Sequence, residues 1–484
     1  MTSRIALISE HASPLASLGG TDFGGQNVYV AQLAQNLAAL GLAVDVFTRR
    51  DSPELPRIVR CPSGIRVIHV PAGPAAFVPK EELLPHMEEF TSFLLNWRQQ
   101  RGVRYDLYHA NFWMSGLVAA ELKRATGAPF VVTFHALGRV RRRYQGSADG
   151  FPDQRIDIER QIIAEADCVI AECPQDEEDL LCLYDADPTR LRIVPCGVDS
   201  TRFSPLPKAT ARAALGLPPD QRILLQLGRL VPRKGIDNVI RGFAALRAAH
   251  DVDATLLIVG GESDEPDPVR TPEIGRLQGI AREAGVADHV VFVGRRGRDV
   301  LKYYYSAADI FVTTPWYEPF GITPLEAMAC GTPVIGANVG GIKFTVRDGE
   351  TGYLVPPNDP MAVAERIAHL YRYPQLLRAL SARAIQRVHD CFSWTNVARA
   401  IARLYDDLLT PRRRRVRREL TTSTLFSERL VPLVVQPDAD VIRAGPDAPR
   451  ARSAPRRSEP PADGRPSPHD ETGRGDLDGF ELTA

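Results

Sequence analysis

A chain of 484 residues is long enough for two or three domains, and 44% hydrophobic with 24% charged residues is the make-up of a globular protein. Lys+Arg and Asp+Glu both number 59, so no net charge argues for nucleic acid or a membrane surface, and no run reaches the ~20 apolar residues that span a bilayer. Seven scattered cysteines without a C-x-x-C pair read as free thiols, and "MTSRIALISEH" is too short an apolar run for a signal peptide, so a cytoplasmic location is expected.

The first apolar run, "RIALIS" (4–9), reads as a strand, followed by a glycine loop and the helical "QNVYVAQLAQNLAAL" (26–40) with Gly41 as its cap. "AVDVFT", "IRVIHV", "YDLYHA", "PFVVTFHA" and "CVIAEC" continue the series, with amphipathic segments between most of them. This is the pattern of a parallel sheet covered on both faces. After "RIVPCGVD" (192–199) and the proline-rich "STRFSPLPKAT", the pattern restarts at "RILLQLGRL" (222–230). A helix from Gly235 to about His250 follows, then "ATLLIVGG", "HVVFVGR", "DIFVTTP", "TPVIGA" and "GYLVPP".

The expected fold is α/β, with two doubly wound Rossmann-like domains and a cleft between them. The N-terminal domain takes 1–200 and the C-terminal domain 201–393; a crossover helix takes 394–410 and stops at Pro411. Residues 411–484 open with the basic run "PRRRRVRREL" and turn rich in Pro, Asp, Arg and Ser. Too few large apolar residues remain there to offset the entropy of ordering, so a disordered tail is expected. The basic run reads as a solvated helix end or as a contact for acidic lipid or nucleic acid.

Ligands of open α/β sheets sit at the carboxyl ends of the strands. The loop after the first strand, "SLGGTDFGGQNVYVAQL" (17–33), brings Gly24 and Gly25 to a helix start, where bare backbone N–H groups hold an anion or simply form a turn. In "LGRLVPRKGIDNVI" (227–240), Arg229 ends a strand and Lys234 precedes Gly235 and a helix; two such cations can clasp a diphosphate or face water. Only six of the 59 cations are lysines, which makes Lys234 the more telling. His135 closes "PFVVTFHA", and "ALGRVRRRYQ" adds Arg139, Arg141, Arg142 and Arg143, suited to an anionic acceptor or to solvent. "TTPWYEPFGITPLEAMACGTPVIG" (313–336) keeps two carboxylates, Glu318 and Glu326, in an apolar segment, and each needs a partner.

Taken together, "GGQNVYV", "HANFWMSG", "TFHALGRV", "GRLVPRKG", "EPFGITPLE" and "GGIKFTVRDGETGYLV" resemble the retaining nucleotide-sugar glycosyltransferases of the GT-B fold, family 4. The resemblance spans residues 4 to about 410 and is strongest to the sucrose-phosphate-synthase-like and inositol-phosphate branch. It implies that Glu318 binds donor-sugar hydroxyls and that the N–H groups of Phe320 and Gly321 hold the sugar and phosphate. Glu326 then takes the ribose, Arg229 and Lys234 the diphosphate near Gly25, and His135 the 6-hydroxyl side of the sugar. Arg296 falls on the nucleobase loop, and Lys80 and Arg155 match positions that contact an acceptor phosphate. Phe112 and Ala136 stand where the inositol-phosphate enzymes carry a tyrosine and a threonine, and "HALG" leans toward the sucrose-phosphate synthases.

The implied reaction is hexosyl transfer from a nucleotide sugar, a UDP-sugar, to a polar sugar- or cyclitol-phosphate acceptor. It needs no cofactor and no obligate metal, and no D-x-D stands at a strand–helix loop. The expected partners are therefore the nucleotide sugar and a small polar acceptor, without nucleic acid and without a transmembrane segment. The alternative is a GT-B protein of other chemistry, epimerase-like or a non-catalytic sugar-nucleotide binder.

Overall fold

The structure, a computed structural model, describes residues 2–15, 24–423 and 441–443. The first half supplies β1 (Arg4–Ile8), β2 (Ala43–Arg49), β3 (Ile58–Arg60), β4 (Arg66–Val70), β5 (Leu107–Asn111), β6 (Phe130–Thr133), β7 (Cys168–Ala171) and β8 (Leu191–Ile193). The second supplies β9 (Ile223–Leu227), β10 (Thr255–Val259), β11 (Val290–Gly294), β12 (Ile310–Thr313), β13 (Val334–Ala337) and β14 (Gly352–Val355), with β15 (Val441–Arg443) last. Their spatial orders are β15-β3-β4-β2-β1-β5-β6-β7-β8 and β11-β10-β9-β12-β13-β14. Helices link most strands, so these are two doubly wound, mainly parallel sheets within one compact unit, Met1–Gly445.

In each sheet the first strand lies inside the order: β1 runs between β2 and β5, and β9 between β10 and β12. Chain direction around the sheet reverses there, and the loops leaving the two neighbouring strands part to open a crevice. The loops after β1, β5, β9 and β12 are therefore where a ligand belongs. They carry Gly24, Phe112, Lys234 and Glu318.

Strand β3 is a departure from the expected series, and it pairs antiparallel with β4. The connection is a tight turn in which Cys61 N–H donates to Ile65 O at 3.0 Å and Gly64 sits at φ +84°, far too short for a parallel crossover.

The chain passes between the two sheets twice, side by side. Val198 N–H donates to Phe392 O at 2.8 Å, and the space where Gly197 would carry a side chain is filled by the Trp394 indole at 2.7 Å. From Trp394 a long helix packs Val397, Ile401 and Tyr405, one helical face, into a core cluster that also holds Tyr29 and Leu33 of the first domain. That helix runs Trp394–Ser423, so the expected stop at Pro411 is wrong. Proline there removes the bond to the Asp407 carbonyl, but the following arginines, Glu419 and Leu420 are good helix formers on a helix already anchored. The expectation of disorder also fails for Val441–Arg443, which pair in parallel with β3. Residues 424–440 and 444–484 of the expected tail lie outside the described residues. No helix among the described residues is long and apolar enough to cross a membrane.

Candidate active site

Between the two sheets lies a cleft of about 400 Å³. Its first wall comes from the N-terminal domain. The helix Gly25–Ala39 starts at the rim, its entry fixed by Gly24 N–H donating to Asn27 Oδ1 at 3.0 Å. A side chain on Gly25 would meet Ile322 Cδ1 at 2.9 Å, so the glycine lets this helix start approach the opposite wall. His135, just past β6, lies in the left-handed region at φ +59° and turns its ring to the cleft. Its Nδ1 is 3.2 Å from Glu172 Oε2, its Nε2 3.2 Å from Asn111 Oδ1, and the Tyr29 ring meets it edge-on at 4.7 Å.

The opposite wall is built after β9 and β12. Lys234 ends a single 3-10 turn (Pro232–Lys234), and Gly235 at φ +61° has the Thr314 carbonyl where a side chain would begin. Lys234 Nζ donates to Glu318 Oε2, and Arg233 Nη1 lies 3.8 Å from the same oxygen. Burial pushes the Glu318 carboxyl up, but Lys234, Arg233 and Arg229 together hold it below its ordinary value. Burial also pulls the Lys234 ammonium down; its one carboxylate partner works against two arginines and does not reverse that. Glu318, one of the two carboxylates in the apolar segment, thus has its partner: a lysine 84 residues earlier in the chain.

Glu326 sits on the helix Ile322–Ala329, 2% exposed. Tyr305 O–H donates to its Oε2 at 2.9 Å, and Arg298 Nη2 is 2.7 Å from Oε1. Phe320 and Gly321, the latter at φ +90°, form the turn before that helix and line the cleft, as does Arg229.

Of the residues expected at the site, Gly24, Gly25, Lys80, His135, Arg229, Lys234, Glu318, Phe320, Gly321 and Glu326 line this one cleft. Two do not. Arg296 turns away, donating to the carbonyls of Asp264 (2.5 Å) and Arg295 (2.8 Å) and to Tyr304 Oη (3.2 Å). Arg298, two residues on, is the arginine of "GRRGRD" that reaches the cleft. Arg155 is 1% exposed, paired with Glu159 at 2.7 Å and packed behind the Phe112 ring. Lys80 lies 3.2 Å from Glu81.

The sequence reading missed His11 and Glu172 on the first wall. His11 bonds Glu10 at 2.8 Å and meets Phe112 edge-on at 4.9 Å. Its position just beyond β1, at the reversal of the sheet, was the signal available. Glu172 directly follows β7, a similar cue.

Two Rossmann-like domains facing each other, with cations and a helix-mounted carboxylate on the C-terminal wall, have the architecture of a GT-B glycosyltransferase. The family profile for group 1 glycosyl transferases matches residues 207–387, and that for a glycosyl transferase 4-like domain matches 24–197. A D-inositol 3-phosphate glycosyltransferase of Acidothermus cellulolyticus is 39% identical over 418 residues, 85% of this chain and 91% of that protein. The enzyme of the same name from Actinosynnema mirum is 38% identical over 83% of this chain and 96% of its own. Among solved structures, a sucrose-phosphate synthase from Thermosynechococcus elongatus superposes with a TM-score of 0.76 at 38% identity, covering 84% of this chain and all of that one. The chain belongs to the group 1, family 4 glycosyltransferases of GT-B fold. It is a hexosyltransferase that uses a nucleotide sugar.

Proposed function

We propose that this enzyme transfers a hexosyl group, with retention, from a UDP-sugar to a small polar acceptor that carries a phosphate. The observation that carries the reading is the division of charge across one cleft. On one side Arg229, Lys234 and the start of the helix after Gly321 face the place of a diphosphate, flanked by Glu318 and Glu326. On the other, Lys80 and Arg141 line the acceptor wall. Cations and helix N-termini stabilise a diphosphate as it leaves. Glu326, held by Arg298 and Tyr305, keeps a geometry suited to a ribose diol. The names of the relatives, an inositol 3-phosphate glycosyltransferase and a sucrose-phosphate synthase, support a phosphorylated acceptor.

Retention by front-face attack fits the carboxylates present. Glu318 is tied to Lys234, Glu326 to Arg298 and Tyr305, and Glu172 faces His135, so the leaving diphosphate is the base we assign to the acceptor proton. We further propose that Arg229 and Lys234 neutralise the diphosphate without an obligate metal, so that EDTA leaves turnover unchanged. Work in the cytoplasm is part of the same reading, supported by seven free cysteines.

The test compares kcat/KM for phosphorylated acceptors (fructose 6-phosphate, inositol phosphate) and their dephosphorylated forms, after a screen of UDP-, GDP- and ADP-sugars. Lys80→Ala should cost about 1.5–3 kcal/mol, one to two decades, on the phosphorylated acceptor only. Equal loss on both forms, or equal use of both by wild type, sinks the phosphate assignment. An inverted anomer in the product sinks retention.

A further inference from the structure

Behind the cleft wall, on the far side of Phe112, lies a polar cluster whose own members, Arg155, Glu159 and Tyr184, do not line the cleft. Arg155 and Glu159, one turn apart on the helix Gln154–Glu165, are 1% and 0% exposed. Their ion pair (Nε to Oε1, 2.7 Å) is closed by Tyr184, whose hydroxyl donates to Glu159 Oε2. Each member also grips the backbone of one short segment. Arg155 Nη2 donates to the Ala136 carbonyl at 2.5 Å. Gly138 N–H donates to the Glu159 carboxylate at 3.0 and 3.1 Å, and Arg139 N–H to the Tyr184 hydroxyl at 2.9 Å. Polar contacts at residues 136, 138 and 139 therefore fix the segment that leaves His135 and starts the helix Gly138–Gln145. A methyl on Gly138 would fall 2.9 Å from Glu159 Oε2, so the carboxylate is seated directly against the main chain.

We infer that Arg155, Glu159 and Tyr184 are positioning residues for His135, a buried clamp that sets the angle at which its imidazole enters the cleft. The inference rests on the reading of His135 as a contact of the transferred sugar. Histidine at φ +59° is in a sparsely populated region, and such a conformation persists only where the surroundings over-determine it. Among the described residues the ring nitrogens meet Glu172 and Asn111, and neither of those holds the chain that follows. The clamp does. It also explains why a buried cation and carboxylate are kept where an apolar pair would pack as well: they supply main-chain donors and acceptors that apolar side chains lack.

The same geometry separates Arg155 from the acceptor. The Phe112 ring lines the cleft, and the guanidinium carbon lies 5.1 Å behind it, 4.6 Å from the Phe151 ring. Arg155 Nη1 is buried there without a hydrogen-bond partner among the described residues. An acceptor phosphate would reach it only by displacing Phe112.

The experiment takes full-length Glu159→Gln, Arg155→Gln and Tyr184→Phe, measured for kcat, donor KM, UDP affinity and thermal midpoint. A tenfold or greater drop in kcat is expected for the first two and a few-fold drop for Tyr184→Phe, with UDP affinity unchanged. Phosphorylated and dephosphorylated acceptors should lose rate by the same factor. In a His135→Ala background, adding Glu159→Gln should lower kcat no further, because the clamp acts through the lost ring; a general weakening of the fold would add to the first loss.

Wild-type kcat in folded Glu159→Gln, or in Tyr184→Phe should the buried variants not fold, overturns the clamp. So does an Arg155→Gln loss confined to phosphorylated acceptors, which would make Arg155 an acceptor ligand. Full turnover in His135→Ala alone instead fails the reading of His135, a result distinguishable from failure of the clamp.

Discussion

Lys234 and Glu318 show how a single buried pair sets the chemistry of the C-terminal wall. Three cations face one carboxylate, so Glu318 stays ionised and acceptor-only despite burial, able to take hydrogen bonds from sugar hydroxyls. Replacing Lys234 by Ala removes a charge-assisted contact, with an expected cost of about 1.5–3 kcal/mol that falls more on turnover than on UDP binding. The pH dependence has a definite sign. A carboxyl whose folded pKa is depressed contributes stability in full above its ordinary value of 4.5 and loses it as pH falls through the lower folded value. The stability difference between wild type and Lys234→Ala should therefore shrink on acidification below that value, followed by melting at a series of pH. A constant difference would mean that Lys234 does not hold Glu318 ionised.

At the scale of elements, the helix Trp394–Ser423 is tied to the first sheet through a buried histidine. Tyr405 Oη is 2.6 Å from His109 Nδ1, and His109 Nε2 is 2.9 Å from Thr133 Oγ1 on the neighbouring strand. Burial first, and the nearby His135 second, bring His109 down to about 3 from its ordinary 6.5. The folded state thus binds fewer protons than the unfolded one between those values, so this stability is present above pH 6.5 and is lost progressively on acidification. The loss from this one group should be about 2 kcal/mol between pH 7 and pH 5. Denaturant unfolding of wild type and His109→Gln across that range measures it; the variant should show the flatter profile. Parallel profiles would show that His109 is not the group responsible.

For the whole molecule, the described core clusters reach Leu409 from both sheets, while β15 pairs with three residues of β3. Removing 424–484 should therefore leave transfer unchanged and move Tm by no more than about 2–4 °C, the effect of ~1 kcal/mol. A larger fall in either would show that the removed segment supports the folded body. Both sheets open their crevices at the strand reversal beside β1 and beside β9, and the double crossing at Val198 and Phe392 keeps those crevices face to face. The two walls thus come from different sheets of one compact unit and share one cleft.

Alternating apolar runs and helical patterns already implied two parallel sheets, because strands buried on both faces must be apolar throughout. The glycines after the first strand and the two carboxylates Glu318 and Glu326 in an apolar segment pointed to the two walls of the cleft, because strand–helix loops lie at the carboxyl ends of the strands. Contacts between distant segments were not legible. Nothing local distinguishes Arg298 from Arg296 in "GRRGRD"; the choice depends on which side chain finds the carbonyl of Asp264 and which finds Glu326. Arg155 reads as a cation available to a phosphate until Glu159, Phe112 and the backbone at 136–138 enclose it. The sequence determined by itself the elements and the loops that carry charge, through periodicity and backbone chemistry. Which charges face the cleft was decided only by tertiary packing, because a buried ion takes whichever partner the fold brings within hydrogen-bond reach.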